Sequence, residues 1–131
     1  MSINDDHIVG VEINKNAIED AKENAKRNGL RDYKFIAKNA KFIDSSFIIK
    51  EKIDAVTVDP PRAGLDKDVV KTIANAGIDK IVYISCNPQT LARDIKRFMD
   101  RGYKLEKIKA VDMFPQTMHC EMICLLKRIM N

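Results

Sequence analysis

The run Ile81-Val82-Tyr83-Ile84-Ser85-Cys86-Asn87-Pro88 decides the fold of this chain. Its first half is an apolar, strand-forming stretch. Its second half begins a helix, because Asn87 can cap a helix and proline suits the first helical position. A second apolar stretch, Ile53–Val58, is followed in the same way by Asp59-Pro60-Pro61-Arg62-Ala63-Gly64. Ligands bind where strands end in an open α/β sheet, so the sequence predicts a functional site at these two strand ends.

Apolar runs alternate with helical patterns along the rest of the chain, which indicates a parallel sheet with right-handed crossover helices. Residues 40–49 fit either a short helix or a loop. The last two strands have no helix between them, so we expect them to pair antiparallel. The predicted elements are strands at Ile8–Ile13, Tyr33–Ala37, Ile53–Val58, Ile81–Ile84, Tyr103–Met113 and Glu121–Arg128, the first four parallel and Ile53–Val58 buried, with helices that begin after Asn14, Asp66 and Asn87 and end at Gly29, Gly77 and Gly102.

The helix after Asn87 carries two sets of residues of interest. Its apolar spacing predicts one buried stripe, formed by Leu91, Ile95, Phe98 and Met99. Its basic residues indicate a solvated face or, as the less common alternative, contact with an RNA backbone. These basic residues are Arg93, Lys96, Arg97 and Arg101.

Composition narrows the class of protein. With 131 residues, 45% of them hydrophobic, the chain is one domain or part of one with a real core. A net charge of +4 fits an RNA-facing protein, although many basic globular domains bind no nucleic acid. Three cysteines, an odd number, argue against a disulfide framework and favour a reducing, cytoplasmic setting. No run has the length of a transmembrane span or signal peptide.

Cys86 is the residue whose position says most about chemistry. The positive end of the helix that begins after it favours the thiolate, the nucleophilic form of cysteine. The alternative is a small, buried, apolar cysteine. In the Asp59 run, the prolines hold a rigid turn that pre-orients the carboxylate, and the alternative is a stiff surface turn.

Two residues at the ends of the first strands are candidates for binding a nucleoside. Glu12 ends the first strand, where an acid commonly receives ribose hydroxyls; the alternative is an acid placed favourably in the first helical turn. Asn39 follows the second strand, and its amide can donate and accept hydrogen bonds at once. The alternative for Asn39 is an ordinary helix cap.

With a third run, Asp112-Met113-Phe114-Pro115-Gln116-Thr117-Met118-His119-Cys120-Glu121, these motifs resemble the S-adenosylmethionine-dependent RNA uracil-5-methyltransferases over roughly residues 6–128. The resemblance implies a truncated Rossmann-like class I methyltransferase sheet, mostly parallel with an antiparallel C-terminal strand pair. It also implies S-adenosylmethionine as the cofactor and tRNA or ribosomal RNA as the partner.

The resemblance assigns roles to individual residues. Cys86 is the nucleophile that adds to uracil C6, and Glu121 is the base that removes the C5 proton. The residues assigned to the cofactor are Glu12, Asn39 and Asp59, with Asn39 at the adenine edge. The residues assigned to the substrate are Arg62, Asn87 and His119.

Other chemistries fit less well. Methyltransferases that act on exocyclic amines carry an Asp-Pro-Pro-aromatic run, but Arg62 stands at the aromatic position here. A metal site built from His119, Cys120 and Cys124 would need a four-residue cysteine spacing that differs from zinc knuckles, so no metal is expected.

The chain also differs from the family. It has no glycine-rich cofactor loop, RNA-binding β-barrel or first sheet strand, so residues 1–131 are expected to be the C-terminal portion of the catalytic domain. We therefore expect weak cofactor binding by this chain alone. The missing central strand would leave a gap that direct pairing of the flanking strands, or self-association, must close. A non-catalytic remnant that binds RNA or a partner protein is the alternative function.

Overall fold

The structure of the chain is a computed structural model that describes residues 7–111 and 121–129. The chain divides into two compact units, Met1–Ile43 and Asp44–Asn131. That residues 1–131 are the C-terminal portion of one catalytic domain stays a prediction. None of the helices in the described ranges is long and apolar enough to cross a membrane.

The first unit is a small parallel βαβ motif. Strand β1 (Ile8–Glu12) pairs in parallel with β2 (Tyr33–Ala37), and helix α1 (Lys15–Arg27) connects them. The Asn14 carboxamide oxygen caps α1 by accepting a hydrogen bond from the Asn16 amide at 2.8 Å. The cap and the following parallel crossover are as the sequence predicted. A 3-10 turn, Ala40–Phe42, follows β2.

The second unit is a four-stranded mixed sheet with the strand order β3-β4-β6-β5. Strands β3 and β4 are parallel, and β6 runs antiparallel to both of its neighbours, β4 and β5. The elements are α2 (Ser45–Lys50), β3 (Ala55–Val58), α3 (Lys67–Asn75), β4 (Lys80–Ser85), α4 (Pro88–Met99), β5 (Tyr103–Val111) and β6 (Glu121–Arg128).

The core of this unit lies between the sheet and helices α3 and α4. Alternation along β4 buries Ile81, Tyr83 and Ser85, because successive side chains point to opposite faces of a strand. The core cluster comprises Val70, Ile73, Ile78, Ile81, Tyr83, Leu91, Phe98, Tyr103, Cys124 and Leu126. The strands and helices therefore place the carboxyl end of β4 directly beside the start of α4.

The fold class is confirmed: the protein is α/β, and an antiparallel strand pair ends it. The Asp66 and Asn87 caps are also confirmed, since the Asp66 carboxylate accepts from the Asp68 amide at 2.8 Å and the Asn87 amide oxygen from the Gln89 amide at 3.0 Å. The ambiguous 40–49 region contains the 3-10 turn and most of α2.

Two predictions about the fold need correction. The buried strand predicted at Ile53–Val58 is the shorter β3, which alternates exposed and half-buried residues because only its Val56 and Val58 face packs against the core. Met99 is 53% exposed, since it lies about 100° around the helix from buried Phe98. The predicted end of a strand at Met113 lies outside the described residues.

Hydrogen bonding joins β1 to β2 in the first unit and β3 to β4 in the second. Closure of the sheet, by direct pairing of the flanking strands or by self-association, stays a prediction.

Candidate active site

The two predicted catalytic residues lie at one edge of the four-stranded sheet. Ser85, the last residue of β4, pairs with Met122 of β6. Cys86 directly follows Ser85, and Glu121 directly precedes Met122. Because β4 and β6 are antiparallel, this register brings Cys86 and Glu121 to neighbouring positions, although they are far apart in sequence.

The loop that contains Asp59 begins at the same edge. Val58, the last residue of β3, pairs with Tyr83 in the parallel β3–β4 ladder. Asp59 follows Val58 and is exposed. The structure therefore brings the two strand-end motifs of the sequence together, as the parallel pattern predicted.

Cys86 is exposed in a tight turn between β4 and α4. The buried Ser85 hydroxyl accepts a hydrogen bond from the Asn87 amide at 3.0 Å and donates to the Asn87 carbonyl at 2.9 Å. The Asn87 side chain in turn caps α4. The residues on both sides of Cys86 are thus fixed by hydrogen bonds while its thiol faces solvent, a suitable arrangement for a nucleophile.

The loop of residues 59–65 is held against α4 by hydrogen bonds to its backbone. The Arg62 carbonyl accepts from the Asn87 carboxamide nitrogen and the Thr90 hydroxyl, both at 2.9 Å. The Ala63 carbonyl accepts from Arg93 Nη2 at 2.8 Å. The side chain of Arg62 is exposed, so the loop is anchored by its backbone while the guanidinium group is accessible.

Asn87, predicted to bind substrate, is engaged with the protein at both ends of its carboxamide. Its oxygen caps α4 and its nitrogen binds the Arg62 carbonyl. These contacts give Asn87 a role in joining the loop to the helix. A substrate contact by Asn87 stays a prediction.

Sequence reasoning missed Asp94, which is fully buried in α4. Its Oδ2 atom accepts hydrogen bonds from the Tyr83 hydroxyl at 2.5 Å and the Leu65 amide at 2.8 Å. Burial, and then the Asp94 carboxylate, raise the pKa of Tyr83, so the phenol stays a neutral donor. A signal was available, because Asp94 lies between Leu91 and Phe98 on the helix face that the sequence predicted to be apolar.

Arg93 corrects the prediction of a solvated basic face on α4. Its guanidinium group binds the Ala63 and Leu65 carbonyls and the Asp94 carboxylate, at 2.8, 3.3 and 3.1 Å. Arg97 also lies 3.6 Å from Asp94. Arg93 therefore joins the loop to the buried Asp94 carboxylate, and Arg97 contacts that carboxylate.

The two residues predicted to bind the cofactor in the first unit are brought side by side. Glu12 ends β1, and its carbonyl accepts a hydrogen bond from the Lys38 amide at 2.9 Å, next to Asn39. The exposed Glu12 carboxylate also accepts from the Asn14 amide at 3.2 Å, and the Asn39 side chain caps the 3-10 turn through Lys41 at 3.1 Å. A carboxylate beside an amide suits a ribose and an adenine, and it also serves local capping.

The remaining predictions concern His119 and a possible metal. His119 and Cys120 lie outside the described residues. Within residues 7–111 and 121–129, no group of three or more His, Cys, Asp or Glu could hold a metal ion. Cys124 is buried in β6, and this burial raises the pKa of its thiol to about 11.

Comparison with known sequences shows which protein family this chain resembles. A family model described as tRNA (uracil-5-)-methyltransferase matches residues 1–129. An RNA methyltransferase of Caldanaerobacter subterraneus is 45% identical over 121 residues, covering 92% of this chain and 26% of that protein. One from Streptococcus agalactiae is 47% identical over 122 residues, covering 92% and 27%. The chain thus spans about a quarter of the length of these curated relatives.

Solved structures agree with the fold. The tRNA (uracil-54, C5)-methyltransferase of Pyrococcus abyssi, solved with S-adenosylhomocysteine, matches with a TM-score of 0.77 and 36% identity over 92% of this chain and 28% of its own. An N-methyltransferase from Bradyrhizobium japonicum matches with a TM-score of 0.71 and 11% identity, over 93% and 66% of the two chains. The second likeness concerns the fold alone.

Proposed function

The chain belongs to the tRNA (uracil-5-)-methyltransferase family, and from this premise we propose that it carries the catalytic residues for methylating C5 of a uridine in RNA. The cofactor of this family is S-adenosylmethionine, and the solved relative from Pyrococcus abyssi holds its demethylated form. The observation that carries the proposal is the exposed thiol of Cys86 at the start of α4, at the same sheet edge as Glu121.

The reaction needs a nucleophile because C5 of uracil reacts poorly by itself. The exposed Cys86 thiol gives its proton to solvent, and the thiolate forms a bond to C6 of the uracil ring. The electron pair of the C5–C6 double bond moves toward the C4 oxygen, and the resulting enolate makes C5 nucleophilic. When bound, S-adenosylmethionine would supply the methyl group to C5 and leave as S-adenosylhomocysteine.

Product release needs a general base. The Glu121 carboxylate accepts the C5 proton, the C5–C6 double bond re-forms, and the Cys86 thiolate leaves. Cys86 and Glu121 occupy neighbouring positions at the ends of two antiparallel strands. This placement suits their roles, because Cys86 bonds C6 of the uracil ring while Glu121 acts at the adjacent C5.

The cofactor residues are part of the same proposal. Glu12 would accept hydrogen bonds from the ribose hydroxyls, and Asn39 would meet the adenine edge, which offers both a donor and an acceptor. The adjacent positions of these residues at the ends of β1 and β2 support this assignment. Asp59 is proposed as a third cofactor residue on the basis of its strand-end position.

The substrate class proposed is RNA, with tRNA favoured by the family description over ribosomal RNA. Arg62 is exposed, and its carbonyl is hydrogen-bonded to Asn87, the residue that directly follows the nucleophile Cys86. A cation at this place can contact a phosphate or a base edge. The net charge of +4 is consistent with such a partner.

The proposal is tested by trapping the covalent adduct. With S-adenosylmethionine present, RNA that contains 5-fluorouridine should form an adduct with the full-length protein that is stable in a denaturing gel, because after methyl transfer fluorine cannot leave C5 as a proton does. Cys86→Ala should abolish the adduct, and Cys124→Ala, which changes a buried cysteine, should keep it. An adduct that persists in Cys86→Ala would overturn the mechanism, and RNA binding with no adduct at all would favour a non-catalytic RNA-binding chain.

A further inference from the structure

A buried carboxylate connects the two motifs of the proposed active site. Asp94 has no exposed surface, and its Oδ2 atom accepts hydrogen bonds from the Tyr83 hydroxyl in β4 and from the Leu65 amide in the 59–65 loop. Its Oδ1 atom lies 3.1 Å from Arg93 Nη2 and 3.6 Å from Arg97 Nη1. One side chain of α4 thus binds the loop, the strand that leads to Cys86, and its own helix.

The loop fits closely around this carboxylate. Gly64 has a φ of +78°, and a Cβ atom added there would lie 2.7 Å from Asp94 Oδ2 and 3.0 Å from the Thr90 Cβ atom. Only a glycine allows such an approach of the backbone. The loop can therefore occupy this position against α4 only because Gly64 has no side chain.

The network lies directly beneath the strand ends. Tyr83 comes three residues before Cys86 and pairs with Val58, which directly precedes Asp59. A shift of the Tyr83–Asp94–Leu65 connection would therefore change the separation between the loop and the nucleophile. Apolar residues often replace a buried ion pair without loss of stability, so stability alone gives no reason for a carboxylate here.

We propose that Asp94, assisted by Tyr83, is a positioning residue that sets the distance between the 59–65 loop and Cys86. This role rests on the proposed methyl transfer to uridine. Asp94 touches neither substrate nor cofactor and acts through the Leu65 amide and the Tyr83 hydroxyl. It governs how fast bound RNA reacts, because a displacement of about 1 Å between reacting groups can slow a reaction by about 100-fold.

The test compares two buried tyrosines in the full-length protein. Tyr83→Phe removes the hydroxyl that binds Asp94. Tyr103→Phe removes a hydroxyl that binds the Ile78 carbonyl near the amino end of β4, far from the strand-end motifs. Asp94→Asn is the stronger variant, since its NH₂ group must face donors on either side, the Tyr83 hydroxyl and Leu65 amide or the Arg93 guanidinium group.

Adduct formation with 5-fluorouridine RNA is measured at saturating RNA. We expect Asp94→Asn to be about 10- to 100-fold slower, Tyr83→Phe several-fold slower and Tyr103→Phe nearly unchanged, with RNA affinity little altered in all three. If Tyr83→Phe and Tyr103→Phe slow the reaction equally, or if neither Asp94→Asn nor Tyr83→Phe slows it, the positioning role is wrong.

A second measurement does not depend on activity. Hydrogen exchange at the Leu65 amide should become at least about tenfold faster in Asp94→Asn than in the unchanged protein, and it should be unaffected in Tyr103→Phe. Unchanged exchange in Asp94→Asn would overturn the contact between loop and helix. Absence of an adduct in the unchanged protein would instead overturn the proposed function, and the positioning role with it.

Discussion

The hydrogen bonds at the two ends of strand β4 hold different parts of the chain in place. Near its amino end, the buried Tyr103 hydroxyl donates to the Ile78 carbonyl, and Arg128 donates to the Gly77 carbonyl at 3.2 Å. These contacts close a turn onto the sheet. At its carboxyl end, the Tyr83 hydroxyl donates to a buried carboxylate, which holds a second loop in place.

The contrast extends to the kinds of residue that each end buries. Of the described residues, the buried polar or charged side chains other than tyrosine are Ser85 and Asp94, and both serve the carboxyl end of β4. A buried polar group costs free energy unless its hydrogen bonds are made, so such groups are kept where geometry matters. Exposed Cys86 and Arg62 lie at this end. The difference teaches that buried polar contacts there fix the backbone from which exposed reactive groups project.

The largest difference between the two ends of β4 should appear when one glutamate near each end is changed. Glu121→Gln should slow turnover by about 10²- to 10⁴-fold, because the amide cannot accept the C5 proton. The methylated covalent complex should still form and should persist in a denaturing gel. Glu106→Gln, which removes the carboxylate 3.3 Å from Lys127 on the β5–β6 pair, should turn over normally. Normal turnover of Glu121→Gln would move the base elsewhere, with His119 the next residue to test.

A pair of glycine substitutions compares the two ends with a smaller effect. Gly64 and Gly102 both have positive φ, so alanine at either costs about 1–2 kcal/mol. Only at Gly64 would the new Cβ also meet neighbouring side chains, because nothing lies within 4 Å at Gly102. We expect Gly64→Ala to slow adduct formation by about tenfold and Gly102→Ala by less than about twofold, in accord with the sensitivity of rate to position.

Urea unfolding and adduct rates measured on the same samples separate the two contributions. Equal losses of unfolding free energy and of rate in both glycine variants would show that the carboxyl end has no special geometry. A larger loss of rate in Gly64→Ala at similar stability would support the comparison.

The smallest expected effect concerns the buried thiol of β6. Burial raises the pKa of Cys124 to about 11 from 9.0, so the unfolded chain ionises first as pH rises. The stability from this thiol is fully present below pH 9.0 and is lost as pH approaches 11, an effect of about 1–2 kcal/mol. The fall in unfolding free energy between pH 8 and 10.5 should be smaller in Cys124→Ala, whereas Cys86→Ala should retain it. An identical pH dependence of the unfolding free energy in the unchanged protein and both cysteine variants would contradict this prediction.

The sequence was a good guide to the features that depend on neighbouring residues. Helix caps at Asn14, Asp66 and Asn87 follow from the geometry of one side chain over the next few residues. The strand-end positions of Cys86 and Glu121 follow from apolar runs and from the absence of a helix between the last two strands. These features need no knowledge of distant packing.

What the sequence did not predict depends on distant contacts. Asp94 meets Leu65 across 29 residues and Tyr83 across 11, and no periodicity encodes those pairings. The half-exposed character of β3 depends on which of its faces packs against the core. The division between two sheets is likewise a matter of strand pairing, which apolar patterns leave open.

The pairing of Val111 with Glu121 has an evolutionary consequence. The segment between them begins and ends at one rung of the β5–β6 ladder, and Glu121 is aligned with the end of β4 by the separate pairing of Met122 with Ser85. The spacing between nucleophile and base is therefore set by two strand pairings. A lineage that keeps both pairings inherits that spacing.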